Sequence, residues 1–352
     1  MSKKRHTYKA VTLKDVAAAA DVSVITVSRA LRTPEVVSEK VRERVAEAVQ
    51  ALGYAPNQAA RALASATTST IGVIIPSVSN QVFADVLRGV YEAVEGTPYQ
   101  VQLGNSRYTA RMEEMLLKVF AAQRPAGLIV AGIDQSEAAR AILSSLGCPV
   151  VQIMDIGPDP IDMMVGFDHR EGGRAAARHL IGKGYRRIGF IGARMDPRAQ
   201  RRLDGYIEVM QEAGLYDEAL IHTSPQPSSV TRGSEMFADF LSLVPDADAV
   251  FCNNDDMALG ALFECQKRRI RVPAQLGIMG YNDLEYSAAS VPSLSTVRSP
   301  RYEMGRRAIE MIAAANRGER PDPAVIDVGY ELKVRQSTDR KSSEGSGGPV
   351  QA

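Results

Sequence analysis

Cysteine and histidine are scarce in this 352-residue sequence, and neither type is grouped. Cys148, Cys252 and Cys265 lie in apolar surroundings without paired metal-ligand spacing, so reduced, buried thiols are expected rather than disulfides or a metal knuckle. His6, His169, His179 and His222 are scattered along the chain, which argues against zinc. No apolar run approaches the roughly 20 residues of a membrane-spanning helix. The opening residues 1–10 contain no apolar leader, so the cytoplasm is the expected compartment. Also missing are a glycine-rich dinucleotide turn, a phosphate loop, a nucleophile elbow and a two-histidine helix motif. Asp255 and Asp256 are the one pair of carboxylates that invites a catalytic reading, yet neighbouring residues point in different directions. An enzyme is therefore not expected, and no cofactor is called for.

What is present is the composition of an ordinary globular protein, with 45% hydrophobic and 24% charged residues. A length of 352 residues suggests two or three units. The net charge of +1 conceals a division. Residues 1–66 carry eleven Lys and Arg against six Asp and Glu, a surplus of five positive charges; the rest carries 31 against 35. A basic head preceding an acidic body suggests a polyanion-binding module joined to something else.

The head, residues 1–56, reads as three short helices. Thr12 with Asp15 forms a capping pair ahead of a helix from Leu13 to Ala20. Asp21 and Val22 break it, and Ser23 caps a second helix from Val24 to Leu31. Pro34 ends that helix, and Ser38 caps a third, closed by Gly53. Val16, Ala17, Ala20, Val22 and Val27 let the first two helices cross closely, leaving Ser23, Val24, Ile25, Thr26, Ser28 and Arg29 outward. This is the helix-turn-helix arrangement, whose second helix enters the DNA major groove. Residues 57–65 read as a helix barely two turns long, too short to hold alone in water; residues 66–70 are a polar joint.

From residue 71 onward, short apolar runs at 71–76, 99–104, 126–132, 149–155, 188–192, 248–253 and 276–281 alternate with helical patterns. That is the signature of parallel sheets covered on both faces, divided into two lobes. The first is expected to begin with about 71–168 and the second with about 169–298. Lobes facing each other across the carboxyl edges of their strands make a cleft for a small polar ligand. The tail 336–352, rich in Ser, Gly and charge, is expected to be disordered.

The stretch from Val11 to Leu31, with Val22–Arg29 at its centre, and the Tyr54–Asn57 turn resemble the DNA-binding head of the lac and galactose repressor family. The resemblance implies an all-α head on a two-lobed α/β body like the periplasmic binding proteins, acting as a homodimer on palindromic operator DNA, with the closing segments crossing back so that about 299–328 joins the first lobe and 329–335 the second. By it, Thr12, Ser23, Thr26, Ser28, Tyr54 and Asn57 would position phosphates, and Val24, Ile25 and Arg29 would face base edges, in keeping with hydroxyls and amides serving phosphate oxygens. Residues 57–65 would be the hinge helix, with Leu63 wedged into the minor groove and Ala60 and Ala64 as the faces on which two hinges meet. In the cleft, Asp155, Asp168, Asn254 and Asn282 fall at ligand-contacting places, with Asp255 beside them, Arg202 at the central ligand arginine and Phe83 as an apolar wall.

A narrower resemblance, carried by residues 79–89, 165–168, 192–198 and 250–266, points to the gluconate operon repressor branch. It implies a repressor released by gluconate or a related sugar acid. A neutral sugar, a purine or a protein co-regulator is the alternative within the family, and a sugar-acid enzyme the alternative outside it.

Overall fold

The computed structural model describes residues 11–54 and 68–340. It divides into a unit up to Thr68 and a unit from Ser69 onward. In the first, α1 (Leu13–Ala19), α2 (Val24–Arg32) and α3 (Glu39–Leu52) enclose one small core. Val16, Ala17, Ala20, Val27, Val45, Ala48 and Tyr54 fill it. The residues between α1 and α2 are small enough for close crossing, and the turn itself is held from α3: Arg44 donates to the carbonyls of Ala20 and Asp21. Those carbonyls end α1 and would otherwise lack partners. Asp15 accepts from both the amide and the hydroxyl of Thr12, at 2.8 and 2.7 Å. The expected capping box is in place, the Thr12 side chain serving the Asp15 backbone while the Asp15 carboxylate serves the Thr12 amide and hydroxyl. Ser23 caps α2 by accepting from the Thr26 amide at 3.0 Å. Gly53 closes α3 with φ +60°, a conformation that costs glycine little.

The second unit holds two six-stranded sheets. The first contains β1 (Thr70–Ile75), β2 (Gln100–Asn105), β3 (Gly127–Ala131), β4 (Val150–Ile153), β5 (Met163–Gly166) and β11 (Val325–Asp327), in the order β11-β5-β4-β3-β1-β2. Every pairing in it is parallel. Around it lie α4 (Val82–Val94), α5 (Ala110–Gln123), α6 (Glu137–Ser144) and α12 (Arg301–Asn316). The second contains β6 (Ile188–Ala193), β7 (Ile221–Ser224), β8 (Ala249–Cys252), β9 (Gly277–Asn282), β10 (Ser295–Arg298) and β12 (Glu331–Lys333), ordered β12-β10-β9-β8-β6-β7. Only β12 runs antiparallel, against β10. Its helices are α7 (His169–Gly182), α8 (Pro197–Glu212), α9 (Val230–Leu243), α10 (Asp255–Arg268) and the short α11 (Glu285–Ala289). The central strands β4, β6, β8 and β9 are buried on both faces, as their largely apolar runs require; Gln152 within β4 is buried with them and bonds Gln135 and the Ile161 amide.

Residues 336–340 do not belong to a disordered tail. Ser337 donates to the Ile278 carbonyl and accepts from the Ser295 amide, at 2.6 and 2.8 Å. Thr338 bonds Ser295 and His179. These hydroxyls complete the backbone pairing beside β9 and β10, which a composition-based reading of Ser-rich sequence misses. Among the described residues no helix is long and apolar enough to cross a membrane, and no group of His, Cys, Asp and Glu could hold a metal ion.

Candidate DNA-reading head and effector cleft

The first turn of α2 presents a surface that the head's core does not use. Val24 is 39% exposed and Ile25 65%, whereas Val27 is wholly buried. Arg29 is exposed one turn further on. Two apolar side chains and a cation in solvent at the start of a helix suit a groove, where they meet base edges and thymine methyls. Ser23 and Thr26 share a hydroxyl contact at 2.8 Å beside them. Tyr54 packs its ring into the head's core. Asn57, Ala60 and Leu63, with the rest of the hinge, lie outside the described residues.

In the larger unit the strand ends of both lobes face a cleft with two chambers. The inner, about 40 Å³, is lined by Phe83, Arg202, Asn254 and Asn282, together with Asn80, Asn253, Asp256 and Ala199. The outer, about 460 Å³, is lined by Ser106, Thr109, Glu113, Gln135 and Pro225 among others. Tyr108, Arg194, Asp196 and Arg198 border both chambers. Tyr108 comes from the first lobe and Arg194 from the second, and the guanidinium lies over the ring 4.2 Å from its centre.

The elements that place these groups follow from local sequence. Asp196 caps α8 by accepting from the Ala199 amide at 3.0 Å, with Pro197 at the first helical position. Arg198 and Arg202 then stand four residues apart on one face. Asn254 caps α10 by accepting from the Met257 amide at 3.0 Å. Asn282 ends β9 with φ +116°, a conformation rare outside glycine. Its carbonyl, and that of Asp283, receive Arg301, which also pairs with Asp85 at 2.8 Å.

Four of the seven expected ligand residues therefore meet in the inner chamber: Phe83, Arg202, Asn254 and Asn282. Three do not line it. Asp168 caps α7, accepting from the amides of Arg170 and Glu171 at 2.7 and 3.2 Å. Asp255 is fully buried and accepts from the Leu284 amide at 2.8 Å and the Thr296 hydroxyl at 2.6 Å. Burial pushes its carboxyl above the ordinary value, against those hydrogen bonds. Asp256, one position on and about 100° around the helix, faces the chamber instead and accepts from Tyr286 at 2.5 Å. Asp155 is buried and ion-paired with Arg201 at 2.8 Å. Burial raises its pKa to about 6, although Arg201 and Arg198 pull it down.

The two cleft arginines differ in what they have left to offer. Arg202 donates through Nε to His169 Nδ1 at 3.2 Å and through Nη1 to the Asn253 carbonyl at 2.6 Å, and lies 3.9 Å above the Tyr281 ring. Arg198 is only 9% exposed, yet its Nη1 is buried with no hydrogen-bond partner. Its nearest carboxylate is Asp196 at 3.7 Å. A buried guanidinium nitrogen without a partner is costly unless something else supplies an acceptor. Asn80, Tyr108 and Arg194 are not among the expected ligand residues, and Asp256 stands out in the sequence only as half of a carboxylate pair. A signal existed for Asn80, which sits in a polar turn directly after β1.

Comparison with known proteins places this arrangement. Residues 12–57 match the model of the bacterial regulatory proteins of the lacI family, and residues 177–338 match a periplasmic binding protein-like domain. The HTH-type transcriptional regulator GntR of Pseudomonas aeruginosa is 40% identical over 93% of this chain and 95% of its own length. The GntR of Escherichia coli is 37% identical over 92% and 97%. Among solved structures, a LacI-family transcriptional regulator from Silicibacter pomeroyi superposes with TM-score 0.89 at 39% identity, covering 94% of this chain and all of that one. The Lac repressor dimer bound to operator superposes with TM-score 0.79 at 25% identity over 94% of this chain and 99% of its own. The chain belongs to the lacI family of bacterial regulatory proteins and is a DNA-binding transcriptional regulator.

Proposed function

We propose that this regulator is a homodimeric repressor, released from a palindromic operator when a small sugar acid, gluconate or a close relative, occupies the inter-lobe cleft. The observation that carries the ligand class is Arg198. A buried cation with an unspent donor accepts a carboxylate, and Arg is suited to grip one through two parallel hydrogen bonds. Asn80, Asn254 and Asn282 in the same chamber offer both donors and acceptors, which is what a chain of hydroxyls requires. The inner chamber alone has room for little more than a water or two, so a six-carbon acid occupies both chambers or enters with the lobes parted. The dimer follows from reading a palindrome with one groove helix per chain. Each hinge would insert Leu63 at the dyad.

Calorimetric titration of the full-length protein with gluconate, other sugar acids, neutral sugars and purines tests the reading. Binding confined to sugar acids and reduced at least thirtyfold in Arg198→Ala is the expected result, since losing one partner of a buried charged pair costs about 2 to 5 kcal/mol. Preference for a neutral sugar or a purine would overturn it.

A further inference from the structure

The cleft arginine Arg202 is held by a residue that no ligand role requires. His169 is the first residue of α7, at the point where the chain has just crossed from β5 in the first lobe to the second. Its ring is buried. Arg202 Nε carries a hydrogen and can only donate, so His169 Nδ1 accepts. That puts the ring proton on Nε2, which donates to the Met154 carbonyl at 2.9 Å. The Tyr281 hydroxyl approaches Nδ1 as well, at 3.3 Å. Burial, and then the charges of Arg202 and Arg198, hold the ring neutral, well below its ordinary pKa. The imidazole therefore joins the two lobes: Met154 directly follows β4 in the first, and Arg202 and Tyr281 belong to the second.

The surroundings are cut to this arrangement. A side chain at Gly172 would strike the Tyr281 hydroxyl, and one at Gly173 the Arg202 carbonyl. Phe167 packs on the His169 ring with centroids 4.3 Å apart. Met154 itself takes φ +81°, unusual for a side chain of its size, and is followed directly by Asp155, the partner of Arg201.

We infer that His169 is a positioning residue: it fixes Arg202 in the chamber wall beside Arg198 and ties that arginine to the crossover between the lobes, so that the shape of the ligand chamber and the lobe arrangement are coupled through one imidazole. The binding part of this inference rests on the sugar-acid reading; the hydrogen-bond part does not.

The test uses the full-length protein and two variants. In His169→Gln the side-chain carbonyl can accept from Arg202 while the amide donates to Met154. In His169→Leu no atom can accept from Arg202 or donate to Met154. We expect gluconate affinity to fall about tenfold or more in His169→Leu and to stay within about threefold in His169→Gln, with operator affinity in the absence of gluconate unchanged in both. The ring nitrogens of the parent, followed by NMR, should show the Nε2–H tautomer from pH 5.5 to 8. The Arg202 Nε–H should exchange slowly in the parent and in the Gln variant, and fast in the Leu variant. A ring that titrates in that range or carries its proton on Nδ1, or a folded His169→Leu that binds gluconate like the parent, would overturn the inference. If the parent binds no sugar acid, the functional reading falls, and the tautomer and exchange results still decide the role of His169.

Discussion

The guanidinium of Arg201 lies 2.8 Å from the carboxylate of Asp155, and the two belong to different lobes. Arg201 also grips Asp134 of the first lobe with both terminal nitrogens, at 2.9 and 2.5 Å. This ion triad closes the cleft beside the chamber, and it does so on a carboxylate that burial disfavours.

Asp155 accordingly gives the body a pH dependence of known sign. Its pKa in the fold is about 6, against an ordinary 3.8. Between those values the folded chain keeps a proton that the unfolded chain releases. This group's contribution to stability is therefore present at low pH and lost as pH rises through about 6. Asp155→Asn should be more stable than the parent at pH 7.5 by about 1 to 3 kcal/mol, with the difference shrinking as pH falls through 6 and closing only below the ordinary value of 3.8. Urea unfolding of the two proteins across that range measures it.

Asp255 should behave as a core residue rather than a ligand. Asp255→Ala strands the Leu284 amide and the Thr296 hydroxyl without their buried acceptor. A loss of about 2 to 4 kcal/mol is expected, with gluconate affinity of the folded protein within about threefold of the parent. A calorimetric titration showing full stability and lost binding would return Asp255 to the site.

In the head, Arg29→Ala should cost about 1 to 3 kcal/mol of operator binding and relax preference at one base pair in each half-site. Ser23→Ala should act differently. It removes the acceptor of the Thr26 amide, so about 1 kcal/mol of helix stability goes with it, and binding weakens alike on all sequences. Selection from randomised half-sites separates the two patterns.

The head was largely legible in the sequence because its signals are local. The cap at Ser23, the glycine at 53 and the small residues of α1 each act within a few positions, and the structure places them accordingly; Ser38 stands at the start of α3 as expected but makes no side-chain capping bond there. The alternation of apolar runs likewise exposed the sheets, but strands of three or four residues such as β5, β11 and β12 carry too little pattern to be seen. In the cleft, the order of residues showed which segments meet but not which way each side chain turns. One step along α10 separates the buried Asp255 from the chamber-facing Asp256. Arg198 and Arg202 share a helix face, and only the packing of His169 and Asn253 reveals that one is engaged and the other is not. Arg201, between them, points to the other lobe altogether.

Fluorescence anisotropy of the full-length protein on an operator recovered by such selection, titrated with gluconate, tests the central claim most directly. Gluconate is expected to release the parent, while Arg198→Ala holds the same operator with unchanged affinity and stays bound at gluconate concentrations at least about thirtyfold higher. Release of Arg198→Ala at the parent's gluconate concentration would contradict it.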